Sequence, residues 1–259
     1  MDSKSLIEQQ YNNYKKKKNA AVAVVSFSFV IVIAVGTWLF LQQSFDQNLA
    51  YTILFILLFA YLVFIVFYRS KIVLYAMKFH YFRMIHENVG LIKVNNRIYT
   101  AGWLKKFVDG GFEKAYENDD FVLFVQFFNK IPRLGRTGRV LVCFVVSKTL
   151  DYNFYNNKLD EVIETVYDGY KDQKKVKKQI VIQYKKYDSF SEEHQEELQE
   201  IINFKNGSQL YINLPVGYFV DEQKIYYLRP IKQYPNKFYF HTCALIEQYS
   251  NLKGVVIDE

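Results

Sequence analysis

Two uncharged apolar runs open the hydrophobic pattern of this chain. Ala20–Leu41 and Leu49–Tyr68 are separated only by the polar stretch Gln42–Asn48. Each is long enough to cross a bilayer as a helix, which takes about 20 apolar residues. A link this short forces the two helices into a hairpin. The uncharged part of the first run exceeds the roughly 7–15-residue core of a signal peptide, and no small-x-small cleavage site follows it. The first run is therefore read as a span that is kept.

Beyond Tyr68 the pattern changes. Ser70–Asn88 contains no helix breaker and sets Ile72, Val73, Ala76, Met77 and His80 along one helical side, which extends the second span as a juxtamembrane helix. Leu91–Tyr99 reads as a short strand, and Ala101–Val108 as a short helix ended by Gly110-Gly111. Phe121–Phe128 and Arg139–Val146 are continuous apolar runs of the kind that form strands buried on both faces. Between them Asn129–Gly138, with Pro132, Gly135 and Gly138, reads as a loop. A helix is expected over Asn156–Lys171, a strand over Lys178–Tyr184, and a polar helix opened by a Ser189/Glu192 capping box and closed near Asn206-Gly207. Strands at Gln209–Leu214 and Lys224–Leu228, with a turn around Pro215 and Gly217, precede a closing helix over Asn236–Tyr249. The expected architecture is an N-terminal two-helix transmembrane hairpin followed by one cytosolic α/β domain with a mixed sheet. In residues, that is a basic cytosolic tail at 1–19, a hairpin at 20–68, a juxtamembrane helix at 69–90 and the α/β domain at 91–259.

Composition adds orientation. The 51% hydrophobic content mixes two populations and describes neither alone. Lys15, Lys16, Lys17 and Lys18 precede the first span, Arg69 and Lys71 follow the second, and the link holds only Asp46. Positive flanks stay on the cytoplasmic side, so both termini are expected there, at the cell (inner) membrane. Of the net charge of +7, the tail to Asn19 supplies +3, Asp46 subtracts one, and +5 remains on the rest. A basic domain beside an anionic leaflet is drawn to it, so the bilayer is the first expected partner. A protein partner or self-association comes next, and nucleic acid is not required. The spans hold no Asp, Glu, Lys, Arg or His, which argues against a transporter working alone. Ser26, Ser28, Ala34, Gly36 and Thr37 would let helices approach closely.

Candidate chemistry is sparse. Arg133, Arg136 and Arg139, interleaved with Gly135 and Gly138, have the composition of an anion site in which backbone amides and guanidinium groups converge. No GKS or GKT follows, so this is not a Walker loop. Lys174, Lys175, Lys177 and Lys178 lie in a second basic segment, KDQKKVKK, able to track phosphates or the inner leaflet. Cys143 and Cys243 stand far apart, in neither a CxxC pair nor a Cys/His set, and read as buried free thiols. His80, His86, His194 and His241 have no nucleophile or carboxylate in a catalytic arrangement around them, and Glu192, Glu193, Glu196, Glu197 and Glu200 read as a solvated face. No catalytic residue, metal ligand or cofactor is assigned.

The strand Ile180–Lys185, followed by a helix, resembles the Mrr-type restriction-endonuclease-like nucleases. In that family a strand ending in E-x-K or Q-x-K helps hold a divalent metal, with an Asp on a preceding strand. Gln183 and Lys185 match the motif; no Asp lies in the preceding strand signal, and a helix intervenes. The resemblance implies a membrane-tethered metal-dependent nuclease. The residues otherwise point to a membrane-anchored binding or regulatory module that holds a partner or anionic ligand. A membrane-perturbing effector with oligomerising hairpins is the alternative drawn from architecture.

Overall fold

In a computed structural model, residues 3–42, 46–131, 138–170 and 176–252 are described. The chain folds as two compact units, Met1–His86 and Glu87–Glu259.

The first unit is two long helices, α1 (Ser3–Leu41) and α2 (Gln47–His86), both long and apolar enough to cross a membrane. They run antiparallel: Phe40 packs on Tyr51, Gly36 on Leu54, Phe29 on Tyr61 and Tyr14 on Phe82. The basic segment before Ala20 is helical from Ser3, and the stretch after Tyr68 continues α2 without a break. At about 1.5 Å per residue each helix is roughly 60 Å long, about twice a hydrocarbon core. Much of the apolar surface along the runs, including Phe27, Phe29, Phe55, Phe59 and Phe67, is exposed.

The second unit is mixed α/β. Its elements are β1 (Ile92–Lys93), α3 (Ala101–Asp109), β2 (Glu113–Glu117), β3 (Phe121–Phe128), β4 (Val140–Ser147), α4 (Asn157–Gly169), β5 (Lys178–Tyr187), α5 (Glu192–Gln199), β6 (Ile202–Asn206), β7 (Gln209–Phe219), β8 (Lys224–Tyr226) and α6 (Lys237–Ser250). The eight strands form one sheet in the order β1-β8-β7-β5-β4-β3-β2, with β6 on β7. β4, β5 and β7 are parallel and the remaining pairings antiparallel.

Both faces of the sheet are covered, which is why its central strands are apolar at successive positions. Leu141, Cys143 and Val145 of β4 share a core with Leu159 and Ile163 of α4 and Leu198 of α5. β4, β5 and β7 add in one direction, so crossovers of one hand put α4 and α5 on the same face. On the other face Phe124, Phe144 and Tyr184 meet Trp103 and Phe107 of α3 and Tyr249 of α6 in a cluster of stacked and edge-on rings. The Trp103 indole N–H donates to the Tyr249 carbonyl at 2.9 Å, fixing α3 to α6.

Several expected boundaries are corrected. Phe190 packs against Phe219 and Tyr226, which shifts the cap of α5 from Ser189 to Ser191, whose hydroxyl accepts from the His194 amide at 3.1 Å. That helix ends at Gln199, well before Asn206: Ile202–Asn206 pairs with Gln209–Asn213 as a hairpin, turned at Gly207 with φ of 55°. The turn expected at Pro215 and Gly217 does not exist, because β7 runs through both. β6 pairs only as far as Asn213 and β8 begins at Gly217, so neither neighbour needs an amide from Pro215. Gly217 serves packing, since a Cβ there would collide with Leu198 of α5 and approach Tyr187. The turn lies instead at 220–223, where Gln223 has φ of 51°. β1 is only two residues of the expected Leu91–Tyr99. β2 was not expected at all: its sequence EKAYE is polar because it is an exposed edge, with its register broken by a bulge between Lys114 and Tyr116.

Candidate anion-binding site

Strand register decides which basic residues meet. Phe128 lies opposite Val140, Val140 opposite Lys178, Lys178 opposite Leu210, and Leu210 opposite Lys205. The end of β3 and the starts of β4, β5 and β7 therefore share one rim of the sheet. The two basic segments, some 40 residues apart in sequence, both join the sheet at this rim because β4 and β5 are parallel neighbours. Gly138 (φ 70°) enters so close to β5 that a Cβ on it would stand 3.5 Å from the Lys178 ammonium.

Of the residues singled out in the sequence, Arg139, Lys177 and Lys178 are described and lie together on this rim. Arg133, Arg136, Lys174 and Lys175 fall outside the described residues. Arg139 donates through Nε to the Asn129 side chain at 3.2 Å and lies over the Tyr170 ring at 5.4 Å, which stacks on Phe127 at 3.8 Å. Lys178 lies over the Phe238 ring, 5.9 Å from its centre. The Leu210 amide donates to the Lys177 carbonyl at 2.9 Å, which ties the Lys177 backbone to the rim and leaves its side chain exposed. Aromatic stems thus hold the cations in place while exposed Lys130, Lys177 and Lys205 widen the positive surface. Lys130 and Lys205 went unnoticed in the sequence, because only the sheet register brings them here. Across residues 129–139 and 171–178 the only acid is Asp172.

The opposite rim carries more acids than bases, with Lys148 and Lys224 among Asp119, Asp120, Asp188, Asp221 and Glu222. The Lys148 amide donates to the Asp120 carbonyl at 2.7 Å and the Asp221 amide to the Asp188 carbonyl at 3.0 Å, gathering the turns that also carry Asp119 and Glu222. Among the described residues, the two ends of the parallel strands thus differ in their balance of charge.

Gln183 and Lys185 sit elsewhere, on the sheet face covered by α4 and α5, and both are buried. The Gln183 amide is fully engaged: Tyr152 donates to its oxygen at 2.5 Å, while its nitrogen donates to the Asn213 side chain at 2.7 Å and the Phe154 carbonyl at 3.0 Å. Lys185 pairs at 2.7 Å with Glu197 of α5, whose other oxygen accepts from the Tyr187 hydroxyl at 2.6 Å. No Asp stands at the position the nuclease motif uses; the carboxylate beside Lys185 comes from a later helix. Glu197 is thereby withdrawn from the solvated acidic face to lock α5 onto β5. Among the described residues no group of three or more His, Cys, Asp or Glu side chains is close enough to hold a metal ion.

The two cysteines and His241 are packed into the fold. Cys143 and Cys243 are free and buried, and desolvation pushes both thiols up. His194 packs on Tyr187 at 4.4 Å with Nδ1 3.1 Å from the Ser189 carbonyl, and His86 stacks on Tyr11 at 5.1 Å. Burial holds His241 of α6 down to about 4. Comparison with protein-family models, with curated proteins and with solved structures found no match.

Proposed function

We propose that the chain is a membrane-anchored binding module. In this reading α1 and α2 insert as a hairpin and the α/β domain uses its basic rim to hold a phosphate-rich anionic ligand at the cytosolic face. The single observation that carries it is the parallel register of β4 and β5, which brings Arg139, Lys177 and Lys178, the described ends of two otherwise unrelated basic segments, to one rim with Gly138 against Lys178. The charges flanking the apolar runs support the orientation. Lys15–Lys18, Arg69 and Lys71 belong at the cytosolic end and Asp46 at the other.

The test is binding of a fluorescein-labelled single-stranded oligonucleotide, as a generic polyphosphate, to the detergent-solubilised full chain across a salt series. The triple variant R139A/K177A/K178A is expected to weaken binding about tenfold or more and to reduce the dependence of log affinity on log salt by roughly two. Equal affinity and equal salt dependence in the variant would remove the rim from the proposal.

A further inference from the structure

We infer that the helical hairpin carries a second anion-binding surface, a collar of cations that recruits anionic phospholipid. The inference rests on the membrane reading of α1 and α2 but not on the rim of the α/β domain.

Six cations lie where the two apolar runs end on the same side of the hairpin. Lys15, Lys16, Lys17 and Lys18 fall within five residues of Ala20, and Arg69 and Lys71 within three of Tyr68, so all sit within about 8 Å of the runs along the helix axis. Successive helical residues are rotated by about 100°, so four lysines in a row surround α1, while Arg69 and Lys71 lie on opposite sides of α2. The collar thus has no neutral side.

Two further observations point to a ligand. From Gln9 to His86 the sequence holds one acid, Asp46, and it belongs to the far end of the hairpin. The one other carboxylate of the two helices, Glu8 of α1, lies about 10 Å along the axis before Lys15, so none stands within the collar itself. Aromatic rings line it instead: Lys15 lies over Tyr11, Lys17 over Tyr14, Lys18 over Phe79 and Lys71 over Tyr68, at 4.1–5.7 Å from the ring centres. Rings order the lysine stems without cancelling their charge. Lys15, Lys16, Lys17, Arg69 and Lys71 are exposed. A band of ordered, uncompensated ammonium and guanidinium groups at this depth matches the phosphates of an anionic leaflet.

The experiment reconstitutes the full chain into phosphatidylcholine vesicles and measures, with spin-labelled lipids, how strongly phosphatidylglycerol is preferred over phosphatidylcholine in contact with the protein. The wild type is expected to favour phosphatidylglycerol severalfold, less so at high salt, and K15Q/K16Q/K17Q/K18Q to lower the ratio about threefold or more. The matching four-arginine variant keeps the preference, as does R139A/K177A/K178A, because the rim is a separate surface. Protease accessibility of the C-terminal domain checks that each variant inserts in the same orientation. A wild-type ratio near one, or a ratio unaffected by the glutamine substitutions, overturns the collar while leaving the anchor intact. A chain that washes out of the vesicles in alkaline carbonate overturns the membrane reading and the collar with it.

Discussion

His241 holds an imidazole in a place that cannot hydrate a charge. It sits on α6 beside Phe128 with Nε2 buried and unpartnered, and desolvation lowers its basicity to about 4 from an ordinary value of 6.5. Between these two values the unfolded chain binds a proton that the folded chain refuses. Stability is therefore complete above about pH 6.5 and falls as the pH drops towards 4, by at most about 3 kcal/mol. Urea titrations of the full chain between pH 4 and 7 check this, and H241F is expected to flatten that part of the profile. A profile unchanged by the substitution would assign the acid sensitivity to other groups. Nothing in the sequence around His241 announces this, because its burial is made by β3, more than a hundred residues earlier. The same holds for Gln183: the Q-x-K spacing was legible, whereas its three hydrogen-bond partners, Tyr152, Phe154 and Asn213, come from a loop and a neighbouring strand.

Among the elements, β7 separates what periodicity conveys from what it hides. Strong apolar runs such as Phe121–Phe128 are strands with the expected limits, since a strand covered on both faces must be apolar throughout. Pro215 and Gly217 imitate a turn because their usual meaning is local, yet here both are explained by neighbours: one by a gap between β6 and β8, the other by contact with α5. G217A tests the contact. Replacing glycine in a strand ordinarily stabilises by about 0.4–1 kcal/mol, but overpacking Leu198 and Tyr187 costs about 1–3 kcal/mol, so the variant is expected to be less stable on balance. Denaturant midpoints of G217A, L198A and G217A/L198A, read as a double-mutant cycle, decide it. A loss in the double variant smaller than the sum of the two single losses marks the clash, and additive losses assign the effect of G217A to the backbone.

For the whole molecule, the charge pattern matters more than the net charge. A value of +7 spread evenly would attract polyanions from every side; here the basic and acidic ends of the parallel strands are distinct. Neutralising the acidic rim with D188N/D221N is expected to leave oligonucleotide affinity within about twofold, since charges beyond a Debye length of about 10 Å are largely screened. A large gain in affinity would show that the ligand senses overall charge and not the rim. The two basic segments were visible in the sequence as separate runs. Their convergence was not, because strand order is set by which apolar strands pair and leaves no periodic trace along the chain.

Under the proposed membrane anchoring, the short edge strand β2 bears on how closely copies of the chain can crowd. Chains confined to a surface meet at far higher local concentration than the same chains in free solution, and an open sheet edge invites a neighbour's strand. Five residues, three of them charged, with the register broken after Lys114, give an incoming strand little length to pair with and no apolar face to bury. For a chain anchored as proposed, crowding in the plane of a bilayer would thereby find little at this edge to pair with.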